Sequence, residues 1–226
     1  MLEELKKQVL EYALESEKHG LCYPTSGNFS AVDRENNYVV ITPKGKNRNK
    51  ITYDQMVVID FDGNIIEAPE GFVASSENLL HLAVYKARED INCVGHTHSP
   101  YACVFAALNR EILPVLPEAN RFDCRCPLAP YETPGSPALA DSIVKALGEH
   151  GVACVMGNHG VLAASRKDMY DLFIKLLYIE DVARTQYQMS TLVGLDNIQH
   201  MSVKEYDKMM IQLGKKEYAM EMPEDD

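Results

Sequence analysis

The sequence predicts an α/β fold in one domain, and three observations carry that expectation. Short β-branched runs recur along the chain, stretches with apolar residues three and four apart lie between them, and turn residues punctuate the joints. The 226 residues, 46% of them hydrophobic, are enough to bury roughly 70% of the unfolded surface without disulfide support. No linker or internal repeat divides the chain, so 1–226 reads as a single unit with a frayed acidic tail at about 221–226.

Leu2, Leu5, Val9, Ala13 and Leu14 recur at helical spacing, and Gly20 ends that first helix. Residues 22–30 are rich in small polar side chains and read as a loop. Residues 38–42 are β-branched and read as a strand running into the turn Pro43-Lys44-Gly45. A second strand at 56–60 is followed by Asp62-Gly63, a strong hairpin signal. Ser75-Ser76-Glu77 precedes Leu79, Leu80, Ala83, Val84 and Ala87, so either serine is expected to cap a helix with Glu77 in its first turn. Residues 91–98 read as a strand running into a site, with a helix at 101–108 after it. Five prolines make 112–134 irregular. A helix at 136–149, a buried strand at 152–156, a tight turn at 157–160 and a strand at 161–164 follow. A long helix is expected over 168–193 and another over about 205–220.

The net charge of −11, from 22 basic and 33 acidic side chains, argues against a nucleic-acid partner, because such a surface repels a phosphate backbone. It leaves room for a phosphorylated small molecule, which a local nest of N–H groups can hold. No run approaches the roughly 20 apolar residues that cross a bilayer, and the N-terminus lacks a signal-peptide pattern, so no membrane partner is expected. The six cysteines form no disulfide framework and read as reduced thiols, which places the protein in the cytoplasm.

The chemistry-bearing residues begin with His96-Thr97-His98. Side chains two apart on a strand share a face, so these imidazoles can share one ion. His159, in a glycine-rich turn, offers a third. Three imidazoles leave a fourth position open on a tetrahedral zinc, the layout of a catalytic rather than a structural site; cobalt, manganese and iron accept the same ligands. Glu77 is the candidate acid/base, weighed against simple complementation of a helix dipole. His81, four residues on, reads as an ordinary i,i+4 neighbour of Glu77. Thr25-Ser26-Gly27-Asn28, Thr42-Pro43-Lys44-Gly45 and Ser75-Ser76 are small, polar or glycine-bearing segments of the kind that hold a phosphate. Cys124-Arg125-Cys126 lacks a second pair and carries no metal expectation.

Taken in order, these segments resemble the class II aldolase and adducin family. The likeness rests on Ser26-Gly27-Asn28-Phe29-Ser30, Thr42-Pro43-Lys44-Gly45, Ser75-Ser76-Glu77 with His81, and His96-Thr97-His98. It continues through Leu108-Asn109-Arg110, Ala129-Pro130-Tyr131 with Gly135, and Asn158-His159-Gly160-Val161-Leu162, and spans roughly 20–190. It implies a three-layer α/β/α sandwich around a largely antiparallel sheet, and a homotetramer with active sites between subunits. It implies zinc on His96, His98 and His159, with Glu77 as a further ligand when no substrate is present. It implies phosphate held by Thr25, Gly27, Asn28, Gly45, Ser75 and Ser76, with Thr42 and Lys44 in the same loops. The reaction implied is cleavage of L-fuculose 1-phosphate to dihydroxyacetone phosphate and L-lactaldehyde. That step leaves a carbanion beside a carbonyl, charge that a Lewis-acidic ion can spread, so no Schiff-base lysine is required.

The family's aldolases place a tyrosine after the HxH helix, reaching a neighbouring active site as proton donor; here Glu118 falls near that point, and a carboxylic acid can serve where burial keeps it protonated. A second, C-terminal tyrosine of the family corresponds to Tyr218. The related ribulose-phosphate epimerases use a carboxylate in the first region but typically carry aspartate in place of Glu77. Epimerase, methylthioribulose-phosphate dehydratase and sugar-acid-phosphate decarboxylase therefore stand beside aldolase, and a non-catalytic module like the adducin head is the alternative of another class.

Overall fold

The computed structural model describes residues 2–214. Eight strands, β1 (Asn28–Asp33), β2 (Tyr38–Ile41), β3 (Val57–Asp60), β4 (Ile65–Glu67), β5 (Cys93–Thr97), β6 (Leu128–Ala129), β7 (Ala153–Met156) and β8 (Gly160–Ser165), form one sheet in the order β4-β3-β2-β1-β5-β8-β7-β6. Every pairing is antiparallel except β6 with β7. The helices α1 (Glu3–Lys18), α3 (Pro100–Leu108) and α5 (Met169–Val193) cover one face, and α2 (Asn78–Ala87) and α4 (Pro137–Leu147) cover the other; α6 (Val203–Gln212) follows α5. This is the expected α/β/α sandwich.

The layers follow from side-chain direction. Phe29 pairs with Gly95 across β1 and β5, and both face Leu172 and Leu176 of α5. Asn28 lies opposite His96 and Ser30 opposite Val94, so this set faces α2 on the other side of the sheet. Nearly every residue of β1, β5, β7 and β8 is buried, because helices cover both faces. Asp168 caps α5 by accepting the Asp171 N–H at 2.8 Å, and Ser136 caps α4 at 3.1 Å with Pro137 first in the helix.

Several elements depart from the sequence reading. The segment expected to be loop through Ser30 becomes β1 from Asn28 onward; buried Asn28 and Ser30 hide the polar/apolar alternation that marks a half-exposed strand. Neither serine caps α2. Glu77 itself is the N-cap residue, and the Ser75 hydroxyl accepts the Glu77 N–H at 3.3 Å. The proline-rich stretch holds a 3-10 turn, Pro117–Phe122, and the two-residue β6. The last helix begins at Val203, and the remainder of the expected 205–220 span past 214, with Tyr218 and the acidic tail, lies outside the described residues. Among the described residues no helix is long and apolar enough to cross a membrane, and no disulfide joins the cysteines.

Candidate active site

Three sheet-and-turn elements carry the imidazoles to one point. His96 is the fourth residue of β5 and is fully buried; His98 stands just past the strand end, before Ser99 and Pro100 start α3. His159 sits in the turn between β7 and β8. The three ring nitrogens offered as ligands lie within 4.8 Å of one another. Gly160 makes this approach possible: a Cβ there would stand 2.6 Å from the Thr97 carbonyl oxygen and 2.9 Å from His96 Cε1. Gly27 does the same on the opposite wall, with φ +69° and no room for a Cβ beside the His96 carbonyl.

The ring of His96 is oriented by the backbone. Its Nδ1–H donates to the Val161 carbonyl at 3.0 Å, which fixes the tautomer and leaves the Nε2 lone pair directed into the cluster. There it lies 2.9 Å from His98 Nε2 and 3.6 Å from Glu77 Oε2. Glu77 Oε1 lies 3.2 Å from His159 Nε2 in an orientation that is not a hydrogen bond, and among the described residues it is buried without a hydrogen-bond partner. Burial holds His96 near a pKa of about 3, helped by the other two rings and opposed by the Glu77 charge; burial and His159 also lower His98. Burial pushes the Glu77 carboxyl up, but the His159 and His96 rings and the Asn28 amide outweigh it and hold it at about 2. The His96 and His98 rings, kept from charging by burial, crowd with the His159 ring against an ionised carboxylate and together offer a set of electron-pair donors. A divalent cation fits such a set, and the all-imidazole, carboxylate donors suit zinc without selecting it.

Beside the histidines opens a cavity of about 340 Å³. Thr25 to Asn28, Pro43 to Lys46, Arg48, Ser75 to Glu77, Pro134, His98 and His159 line it. The structure thus brings together Thr25, Gly27, Asn28, Lys44, Gly45, Ser75 and Ser76 with Glu77 and two of the histidines, while His96 stands buried behind them. Lys44 and Lys46 give the wall a local positive charge within an acidic chain, which is the field a phosphate needs, while the Arg48 guanidinium lies 3.7 Å from Glu17 Oε2.

Two of the expected residues fall elsewhere. Thr42 is buried behind the cavity wall, where its hydroxyl accepts the Phe29 N–H at 3.1 Å. Glu118 is exposed on the 3-10 turn and does not line the cavity, so its own chain does not supply the burial its acid role requires. Conversely, the place of Arg48 and the partners of His81 were not expected. Arg48, 3% exposed, donates to the carbonyls of Tyr23 (2.5 Å), Ser26 (2.8 Å) and Gly27 (3.3 Å), and so holds the shape of the first loop. Its only sequence signal is the basic cluster Lys44, Lys46, Arg48, Lys50 in an acidic chain. His81 does not sit against Glu77 as an i,i+4 neighbour; it turns inward to Ser30 and Asn28.

Fold and site together define a member of a known group. The profile of the class II aldolase and adducin N-terminal domain matches residues 7–187, and the chain belongs to that family. Among its relatives, the 5-deoxy-D-ribulose 1-phosphate aldolase of Bacillus thuringiensis serovar kurstaki is 33% identical over 195 residues, covering 85% of this chain and 88% of that protein. The L-ribulose-5-phosphate 4-epimerase of Salmonella paratyphi C is 34% identical over 195 residues, covering 81% and 84%. A solved structure of an L-fuculose 1-phosphate aldolase superposes with a TM-score of 0.87 at 27% identity, covering 93% of this chain and 96% of that one.

Proposed function

We propose that this chain is a zinc-dependent aldolase that reversibly cleaves a ketose 1-phosphate, L-fuculose 1-phosphate first, to dihydroxyacetone phosphate and a small aldehyde such as L-lactaldehyde. The observation that supports it most is the meeting of His96, His98, His159 and Glu77 at the edge of a cavity lined by three small-residue loops and three cations. An ion held on the histidines supplies Lewis-acid polarisation of the substrate's carbonyl and hydroxyl oxygens.

The protein's own groups do the rest. Thr25, Gly27, Asn28, Lys44, Gly45, Ser75 and Ser76 bind the phosphate and so fix the reacting carbons beside the imidazoles, where orientation contributes to rate. On cleavage the carbon–carbon bond breaks, the carbon bearing the hydroxyl becomes the aldehyde as it loses its O–H proton, and the electron pair stays on the carbon next to the carbonyl. In the condensation direction the ionised Glu77 carboxylate removes a proton from that carbon; in cleavage it first takes up a proton from solvent and then delivers it there. Proton traffic at the aldehyde oxygen is assigned to Glu118 of a neighbouring copy and to Tyr218, in a homotetramer whose sites lie between subunits.

A second reading, C4 epimerisation, is favoured by the 34% identity to L-ribulose-5-phosphate 4-epimerases. Incubation of the zinc-loaded protein with L-fuculose 1-phosphate, D-ribulose 1-phosphate and L-ribulose 5-phosphate separates the two. Release of dihydroxyacetone phosphate is expected; inversion at C4 without cleavage makes the chain an epimerase. Full activity after exhaustive chelation removes the metal from the scheme altogether.

A further inference from the structure

Two combs of side chains interlock between β1 and α2. Asn28 and Ser30, two apart on the strand, point to the same face. Glu77, His81 and Tyr85, four apart, form one stripe at the start and along the face of α2. They alternate in a single hydrogen-bonded row: Asn28 Nδ2 to Glu77 Oε2 at 2.7 Å, His81 Nε2 to Asn28 Oδ1 at 2.5 Å, Ser30 Oγ to His81 Nδ1 at 2.7 Å, and Ser30 Oγ to Tyr85 Oη at 2.8 Å. Asn28 is 4% exposed, and Ser30, His81 and Tyr85 are fully buried.

With the His81 ring neutral, one arrangement of hydrogens satisfies this row. The Glu77 carboxylate accepts only, so the Asn28 amide must present its N–H to it, which turns the Asn28 carbonyl toward His81. His81 must then carry its hydrogen on Nε2, leaving Nδ1 to accept from the Ser30 hydroxyl, whose oxygen accepts from Tyr85 O–H. A flipped Asn28 would set its carbonyl against the carboxylate and would force the His81 hydrogen onto Nδ1 and reverse the Ser30 and Tyr85 hydroxyls, in a buried place where water cannot relieve the clash. We propose that His81, backed by Ser30 and Tyr85, is a positioning residue that locks the Asn28 amide in the orientation that holds the Glu77 carboxylate at the reacting carbon. Asn28 also lines the phosphate cavity, so the row ties the acid/base to the anchor of the substrate. The inference rests on the reading of Glu77 as the acid/base.

The test uses the zinc-loaded full chain and whichever of the three sugar phosphates it turns over. His81→Leu keeps the volume buried but removes the donor to Asn28. Its kcat is expected to fall by about 10–100-fold, the usual cost of losing an outer partner, with KM changed less than about twofold and zinc content unchanged. His81→Gln, which restores an amide donor, should recover most of that loss. In a Glu77→Gln background, His81→Leu should change kcat no further, because the group it positions is already gone. Ser30→Ala, the milder lesion, should lower kcat in the same sense even if His81→Leu folds poorly. Nitrogen-15 NMR of histidine-labelled protein should find the His81 proton on Nε2. A proton on Nδ1, or a His81→Leu protein that loses thermal stability yet keeps wild-type kcat, overturns the proposal. Retained turnover in Glu77→Gln alone overturns instead the acid/base reading, so the two failures are distinguishable.

Discussion

The two faces of β1 and β5 are built from the same ten or so residues and do opposite things. On the face toward α5, Phe29 and the strip opposite Gly95 meet Leu172 and Leu176 in a dry, apolar contact. On the face toward α2, Asn28, Ser30 and His96 are just as buried but polar, and each is joined to a named partner. One face provides transfer free energy; the other consists of groups that are costly to bury and tolerable only when satisfied. The strand period of two lets a single segment do both, so the rigid packing of one face holds the geometry of the other.

Substitutions that strike only one face test that division. The largest effect is expected from His96→Ala, which should lose bound metal and catalytic activity together while its circular dichroism stays native; metal content by atomic emission and a cleavage assay check it. Retention of stoichiometric metal would break the assignment of His96 to the ion. Glu77→Gln should keep inorganic phosphate binding, measured by calorimetry, and lose turnover by about 10²–10⁴-fold, the contribution of a positioned acid/base. On the apolar face, Phe29→Ala should cost about 3–5 kcal/mol in urea unfolding, with metal content per folded chain unchanged. If Phe29→Ala instead sheds metal without a drop in stability, the faces are not separable in the way described.

The same division explains what could be read from the sequence. Helices with one apolar stripe, such as α1 and α4, and strands of β-branched residues, such as β2 and β3, announce themselves by period. So do His96 and His98, whose two-residue spacing carries them to one point although β5 ends at Thr97 and His98 stands just past it. β1 did not, since its inward polar residues remove the alternation that marks a strand. Arg48 and the inward contacts of His81 were illegible for a different reason: each residue acts on a loop or residue about 20 to 50 positions away in the chain, and only the sheet order brings them there. The ordered set of short motifs picked out segments that the structure gathers around one cavity, but Thr42 shows the limit of loop-level reading. Its neighbours line the cavity while its own hydroxyl faces the Phe29 N–H.

The smallest effect concerns the cost of hiding an imidazole. Burial lowers His81 to about 3, against the weaker pull of the Glu77 charge. Its ordinary value is about 6.5, so between about pH 6.5 and 3 the unfolded chain binds a proton at this site and the native chain does not. Stability is therefore fully present above pH 6.5 and declines as pH falls through that window, with a slope of up to about 1.4 kcal/mol per pH unit from this residue. His96 is lowered to about 3 for the same main reason and adds a decline of the same sign, so the wild-type slope alone does not isolate His81. The difference does: urea unfolding of metal-free wild type and His81→Gln, compared from pH 7 to 5, should give a shallower decline in the variant. Parallel curves would mean that His81 is protonated in the native state, and the polar face of β1 would then hold a charge where the hydrogen-bonded row requires a neutral ring.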